Sequence, residues 1–171
     1  MGRPKALVEG WLSRAVESLA DCDRVVVVLG AAAAEARPLL DAHEVTIVVA
    51  HDWAEGMGAS LSAGLGHLVH GEASRSVVTL VDLPDVGASV VRRLLDLPDE
   101  ESMLARATYD GRPGHPVLLG RSHWAGVLAT ATGDRGARDY LAEHPPLLVE
   151  CGDLATGRDV DGPTSGQPAA E

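Results

Sequence analysis

Stretches of unbroken aliphatic residues alternate along this chain with stretches in which apolar residues recur at helical spacing. A continuous aliphatic run is typical of a strand buried on both faces of a parallel sheet, and apolar residues at i, i+3 and i+4 indicate a helix with one buried face. The alternation predicts an α/β fold, with a mostly parallel sheet covered by helices. The expected strands are residues 25–29, 45–50 and 77–81, and the expected helices are residues 7–20, 31–42, 60–69 and 90–95.

The pattern changes after Pro98, where two strands are expected to form a hairpin. Residues 103–109 and 116–119 have the composition of strands, and the Gly- and Pro-containing segment 110–114 between them predicts a turn. With 171 residues and 46% hydrophobic content, we expect a single domain over residues 1–162. The remaining expected elements are helices at 122–131 and 136–143, a last strand at 147–151, and a mobile tail at 163–171.

Charge and cysteine content exclude several classes of protein. The net charge of −11 would repel a polyphosphate backbone, so nucleic acid is not an expected partner. A small nucleotide is compatible, because a divalent metal can bridge carboxylates to phosphates. No signal peptide or transmembrane run is visible, and Cys22 and Cys151 share no metal-type spacing, so we expect a reduced, cytoplasmic protein with no membrane partner. Lys5 is the single lysine among 14 basic residues, and its compact ammonium suits phosphate.

Acidic residues follow two of the expected strands. Asp82 comes directly after residues 77–81, at the edge where open parallel sheets bind their ligands. Its carboxylate is a candidate ligand for Mg²⁺, although a turn or a cap of the following helix also explains an aspartate at this position. Asp159 and Asp161 would point to the same face of an extended segment, where they either complete a divalent metal site or belong to a polar C-terminal loop.

Residues 51–64 form a glycine-containing segment after the second expected strand. The glycines let backbone N–H groups approach a ligand, and Ser60 suits the N-cap of the next helix, so the segment fits an anion or a nucleobase edge as well as simple helix capping. The chain contains no dinucleotide fingerprint, no Walker-type phosphate loop and no G-x-S-x-G nucleophile elbow. A dinucleotide-binding fold is therefore disfavoured, and a P-loop or a hydrolase site has no motif to support it.

Six short motifs follow one another in order, namely M-G-R-P-K-A-L at 1–7, residues 53–61 with Gly64, D-L-P at 82–84, G-H-P at 114–116, G-D-R-G-A-R at 133–138 and D-V-D-G-P at 159–163. Their order and spacing resemble the MobA-like nucleotidyltransferases, in the molybdenum cofactor cytidylyltransferase branch, across nearly the whole chain. The resemblance implies a Rossmann-like sheet with helices on both faces, of the nucleotide-diphospho-sugar transferase type, from which the first strand is missing. It also implies Mg²⁺ as the cofactor.

The resemblance implies a reaction in which a phosphate of the acceptor, molybdopterin in that branch, attacks the α-phosphorus of CTP and expels pyrophosphate. Such a transfer requires mainly positioning and charge neutralisation from the protein. The implied partners are a nucleoside triphosphate (CTP or GTP), a molybdopterin-type acceptor, and a molybdoenzyme or its chaperone. The implied site residues are Lys5 and Asp82 in catalysis, Asp82 and Asp161 on the metal, Gly2, Arg3, Lys5, Gly56, Met57, Ser60 and Gly64 against the nucleotide, and His115, Asp134 and Arg138 against the acceptor.

The sequence departs from the family pattern at both ends. The usual D-x-D-T-P-E-D ending reads D-V-D-G-P-T-S at 159–165, and the L-A-A-G-x-S-x-R start of the signature loop is absent. We expect the natural protein to begin roughly twenty residues upstream of Met1, because a parallel sheet without its central strand leaves unpaired backbone edges in the interior. Two other interpretations stay open: a guanylyltransferase or sugar-phosphate nucleotidyltransferase of the same superfamily, and a non-catalytic protein that binds molybdopterin or a molybdoenzyme.

Overall fold

The structure, a computed structural model, describes residues 4–160. Gly2, Arg3, Asp161 and the tail expected at 163–171 lie outside the described residues. The strands are β1 (Val26–Leu29), β2 (Thr46–Val49), β3 (Arg75–Val78), β4 (Leu104–Tyr109), β5 (Arg112–Gly120) and β6 (Leu147–Glu150). The α-helices are α1 (Trp11–Glu17), α2 (Ala33–Ala36), α3 (Met57–Leu68), α4 (Ala88–Leu95), α5 (Arg121–Thr130) and α6 (Arg138–Glu143), and single 3₁₀ turns cover Lys5–Leu7, Arg37–Leu40, Trp53–Glu55 and Gly133–Arg135.

Each strand and helix expected from the sequence has a counterpart in the structure, with shifted boundaries. The helix expected at 31–42 is split into α2 and a 3₁₀ turn that contains Pro38 at its start. Proline has no N–H to donate, so it fits the first turn of a helix and interrupts a longer one. The strand expected at 77–81 lies two to three residues earlier as β3.

No helix within residues 4–160 is long and apolar enough to cross a membrane.

The hairpin between β4 and β5 is tighter than the sequence suggested. Tyr109 pairs with Arg112, so the turn consists of Asp110 and Gly111 alone. Both turn residues have positive φ, 51° and 75°, as the two-residue turns that match the twist of a hairpin require. The expected turn at 110–114 was therefore too long, and β5 starts at Arg112 rather than at Pro116.

The strands form two separate sheets. β1 and β2 pair in parallel, with Val26 opposite Thr46. The second sheet has the order β3-β5-β4-β6, in which β5 runs antiparallel to both its neighbours and β6 runs parallel to β4. The fold is thus α/β with parallel pairing at both ends and the expected hairpin between them.

Helices cover both faces of the four-stranded sheet, because successive side chains of a strand point to opposite faces. On one face, α4 buries Val90 and Leu94 against Ala105 and Leu118. The other face packs against α3 and α5, through Leu65, Leu104, Val117, Leu119, Trp124 and Val127. A third cluster joins α1, α2 and β1, and it includes Val81 from the segment after β3. That contact brings the segment after β3 against the smaller sheet.

Candidate functional site

The lone lysine and the aspartate after β3 form an ion pair. Lys5 Nζ donates to Asp82 Oδ2 at 2.6 Å, across 77 positions of sequence. Asp82 is one of the few polar residues that are buried, whereas the Lys5 side chain remains 39% exposed. Two predicted catalytic residues therefore lie together, with the ammonium accessible from solvent.

The segment before Asp161 crosses the turn that carries Asp82. The N–H of Val160 donates to the carbonyl of Asp82 at 3.0 Å. Three residues further on, Asp85 accepts hydrogen bonds of 2.6 Å from both the N–H and the hydroxyl of Thr156. The chain immediately before Asp161 is thus fixed beside Asp82, although Asp161 itself lies outside the described residues.

The donor set around Asp82 fits a divalent cation only together with further ligands. Among residues 4–160, no group of three or more His, Cys, Asp and Glu side chains converges as a metal site. Mg²⁺ does not need such a cage, since it is usually held by one or two carboxylates with phosphate oxygens and water completing its octahedron. A buried, rigidly placed carboxylate at a sheet edge meets that requirement.

Basic side chains lie near the ion pair of Lys5 and Asp82. His115, on β5, has its pKa lowered to about 4 by burial and by the Arg106 charge, an effect that Asp82 partly opposes. Arg106 donates from Nε to the carbonyl of Gly114 at 2.9 Å, and its own pKa is lowered by burial and by the charge of Arg138. His115 is therefore neutral at pH 7, while two guanidinium groups repel each other beside it.

The segment at 53–64, predicted to bind the nucleotide, packs against the segment at 133–138, predicted to bind the acceptor. Gly56 has a φ of 111°, and a Cβ there would lie 2.6 Å from Asp134 Oδ1 and 2.7 Å from the carbonyl oxygen of Gly133. Helix α3 begins directly after Gly56. Ser60 is consequently inside the helix, and the prediction that it caps the helix was wrong because the sharp turn at Gly56 starts the helix three residues earlier.

A cavity of about 1060 Å³ connects several of these residues. Its walls include five residues predicted for the nucleotide or the acceptor, namely Met57, Ser60, Gly64, His115 and Arg138. Val81 also lines it, directly before Asp82. The structure thus places these parts of the predicted site around one space, while Lys5, Asp82, Gly56 and Asp134 are not among the residues that line it. Helix α6, expected to begin at Gly136, starts at Arg138.

Two residues of the site were missed by the sequence analysis. Arg106 interrupts the otherwise buried β4, and a charged residue in a strand with buried neighbours was the signal for it. Asp85 is the other, and its bonds to Thr156 depend on a contact 71 positions away. Nothing in local sequence indicates that contact.

The family of this chain follows from its similarity to known proteins. The family model described as "MobA-like NTP transferase domain" matches residues 1–147. The chain belongs to the MobA-like NTP transferase family. By family it is a nucleotidyltransferase, as its motifs predicted.

Three relatives of this NTP transferase differ in what their names state. A nicotine blue oxidoreductase from Paenarthrobacter nicotinovorans is 37% identical, covering 94% of this chain and 85% of its own. The structure of Rv0371c from Mycobacterium tuberculosis H37Rv in complex with manganese has a TM-score of 0.70 at 26% identity, covering 88% and 82% of the two chains. A nucleotidyl transferase from Methanothermobacter thermautotroptrophicus has a TM-score of 0.66 at 20% identity, covering 82% and 68%, and this likeness concerns the fold.

Proposed function

We propose that this protein transfers a nucleoside monophosphate from a nucleoside triphosphate, CTP in preference to GTP, to a phosphate acceptor such as molybdopterin, with release of pyrophosphate. The observation that carries the proposal is the contact of 2.6 Å between Lys5 and Asp82. It joins the motif at 1–7 to the motif at 82–84, next to a basic group. Triphosphate transfer requires this combination of a cation for phosphate and a carboxylate for a metal.

Charge neutralisation would be divided between the ammonium of Lys5 and a metal ion held beside it. The exposed ammonium of Lys5 would bind the triphosphate, and Asp82 with Asp161 would hold Mg²⁺ or a similar divalent ion. When bound, such an ion supplies neutralisation of phosphate charge. The hydrogen bond from Val160 to the Asp82 carbonyl supports Asp161 as the second ligand, because Val160, its neighbour in sequence, is held at this turn.

Binding of the two substrates would use adjoining segments of the chain, which pack against each other at Gly56 and Gly133. Gly56, Met57, Ser60 and Gly64 would line the base and ribose. The acceptor would face His115, Asp134 and Arg138, and Arg106 joins them because its guanidinium has no carboxylate partner among residues 4–160. Two neighbouring guanidinium groups without acidic partners favour a phosphate, which accepts several of their N–H donors.

The metal role of Asp82 is tested by ligand-induced stabilisation. CTP with Mg²⁺ at a hundredfold excess over its Kd stabilises the folded state by about 2.7 kcal/mol. Asp82→Asn should abolish most of the rise in melting temperature caused by CTP and Mg²⁺ together, measured by differential scanning fluorimetry. The matched control Asp96→Asn, at an exposed aspartate that does not line the cavity, should keep it. An unchanged shift in the Asp82 variant would remove that residue from the metal site.

The phosphate role of Lys5 is tested by comparing ligands with and without phosphates. Lys5→Ala should weaken CTP about tenfold or more and leave cytidine unaffected, as expected for losing one charge-assisted hydrogen bond. Isothermal titration provides both constants, and Lys5→Arg should recover part of the loss because it keeps the charge. Equal weakening of CTP and cytidine would mean that Lys5 acts only by ordering Asp82.

The alternatives make different predictions in solution. Parallel titrations of CTP and GTP separate the cytidylyl- from the guanylyltransferase, and pyrophosphate release separates an enzyme from a non-catalytic molybdopterin-binding protein. A second candidate function is an oxidoreductase, which the name of the relative at 37% identity favours. Loss of nicotine blue absorbance with reduced nicotinamide nucleotide, without any nucleoside triphosphate, would support it.

A further inference from the structure

After β6, the chain runs back to the turn that carries Asp82. This segment, residues 151–160, contains no further strand or helix and is called the strap. At its start, Ala155 donates its N–H to the carbonyl of Cys151 at 3.1 Å, which turns the chain after the strand. At its other end, Val160 donates its N–H to the carbonyl of Asp82 at 3.0 Å. The strap therefore connects the β6 side of the larger sheet to the candidate site.

The start of the strap is fixed to α4. The guanidinium of Arg93 donates to both carboxylate oxygens of Asp153, at 2.5 and 2.9 Å. It also donates to the carbonyl of Glu150 at 2.8 Å. A bidentate pair of this kind fixes orientation as well as distance. The first residues of the strap are thus held in place independently of its second half.

The middle of the strap lies against Tyr109. Gly157 has a φ of 62°, and a Cβ at this position would collide with the Tyr109 ring. Only glycine adopts this conformation readily and allows the backbone to approach so closely. The buried Tyr109 donates its hydroxyl to the carbonyl of His115 at 2.6 Å. The strap therefore packs on a ring that also holds the segment of His115.

A pair of exposed side chains fastens the second half of the strap. Asp85 Oδ2 accepts hydrogen bonds of 2.6 Å from both the N–H and the hydroxyl of Thr156, and these contacts are called the latch. The Thr156 hydroxyl in turn accepts from the N–H of Arg158 at 3.4 Å. Asp85 belongs to the same turn as Asp82. The latch therefore ties the strap to the turn that presents the buried carboxylate of Asp82.

The latch is suited to positioning more than to stability. Asp85 and Thr156 are both exposed, and exposed polar pairs add little to the free energy of unfolding. A cation held by two carboxylates requires both at one place, and ordering a mobile segment on binding costs conformational entropy. A latch that orders the strap beforehand removes part of this cost. Its loss should therefore reduce metal affinity more than stability.

We propose that Asp85, acting through Thr156, is a positioning residue for the divalent metal site. The latch holds the strap beside Asp82, so that the acidic segment at 159–161 is directed to the cation that Asp82 binds. Asp85 is not itself a ligand in this arrangement. The inference rests on the proposed metal role of Asp82 and adds the residue pair that makes the second half of that site available.

The probe is Mn²⁺, added as its chloride to the full chain, because this paramagnetic ion broadens the NMR signals of nearby amides. In the parent protein, the amides of Leu83 and Val160 should broaden at lower Mn²⁺ than the amide of Cys22, whose acidic neighbours report non-specific binding. Asp85→Ala should raise the concentration needed at Leu83 about tenfold, as expected for losing hydrogen bonds to a charged group. Val160 should lose its preference over Cys22.

Threonine variants and a matched aspartate variant separate the latch from general effects. Thr156→Val removes the hydroxyl at similar shape and should give an intermediate rise, whereas Thr156→Ser keeps both donors and should match the parent. The control Asp96→Ala, at an exposed aspartate outside the strap, should also match it. Urea midpoints should stay close to the parent value in all four variants. Should Asp85→Ala fail to fold, the comparison of Thr156→Val with Thr156→Ser decides.

The outcomes distinguish the latch from the metal site itself. Equal broadening midpoints in the parent, Asp85→Ala and Thr156→Val, with Leu83 still preferred over Cys22, would overturn the positioning role and leave the metal role of Asp82 intact. Broadening of Leu83 in the parent no earlier than that of Cys22 would remove the metal role of Asp82 and the latch proposal with it.

Discussion

At the scale of single residues, burial decides which charges the site can carry. His115 is held neutral because it is partly enclosed and faces Arg106, whereas Glu150 is exposed yet has a lowered pKa because the N–H groups of Gly152 and Gly111 donate to it. The neutral imidazole of His115 therefore favours contact with an uncharged part of a ligand. Glu150 stabilises the β4–β5 turn, because its one carboxylate accepts from both Asp110 and Gly111.

The lowered pKa of His115 makes stability depend on pH. Its folded value of about 4 lies below an unfolded value of about 6.5, so the unfolded chain binds more protons between these values. The free energy of unfolding should therefore fall as pH drops from about 6.5 towards about 4. Urea denaturation of His115→Gln should show a smaller fall over this range than the parent protein, whereas His51→Gln, at an exposed histidine, should match the parent. Identical pH profiles for all three would contradict the neutral state.

At the scale of elements, close backbone approach fixes how α3 meets the turn at 133–135. The positive φ of Gly56 and the nearby carbonyl of Gly133 leave no room for a side chain, so the start of α3 is set by a contact between distant segments. A second glycine in the same helix, Gly66, has open space around it. The backbone therefore requires glycine at position 56 but not at position 66.

Alanine at these two glycines should have opposite effects. Gly56→Ala forces an L residue into a strained conformation against backbone, and should destabilise the protein by about 1–3 kcal/mol. Gly66→Ala adds a good helix former in open space and should stabilise it by about 0.5–1 kcal/mol. Chemical denaturation followed by circular dichroism measures both. A neutral Gly56→Ala would show that the turn at 133–135 moves aside easily.

At the scale of the whole molecule, β5 is the strand on which the larger sheet is assembled. It pairs with β3 and β4, and its side chains alternate between the two helix layers, with Leu118 in one and Leu119 in the other. The smaller sheet has its own cluster with α1 and α2. The buried interior is thus divided between two clusters on the larger sheet and one on the smaller sheet.

Truncation of one fully buried leucine should show how closely the larger sheet is packed. Leu118→Ala leaves a cavity in the sheet and should cost about 2–5 kcal/mol. Leu147→Ala, on β6, removes a side chain that is 51% exposed and should cost far less. Urea midpoints of the two variants test the difference. Similar midpoints would mean that the larger sheet is not a packed core.

The fold class and the approximate position of each strand and α-helix could be predicted from the sequence, because apolar periodicity reports burial directly. Boundaries were less accurate where backbone geometry overrides composition, as at Pro38 and Gly56. In the site, Lys5 and Asp82 were predicted and lie in contact, while Arg106 was missed. The predictions for Gly2, Arg3 and Asp161 remain predictions.

The sequence by itself determined the alternation of strands and helices, the family through its ordered motifs, and the residue types available for phosphate and metal. Only the tertiary structure decided that Lys5 meets Asp82, and that Arg106 and Arg138, which have no carboxylate partner in the described part of the chain, line one cavity. The physical reason is the distance along the chain over which each effect acts. Periodicity and turn chemistry act over a few residues, whereas contacts across 77 positions depend on how whole layers pack.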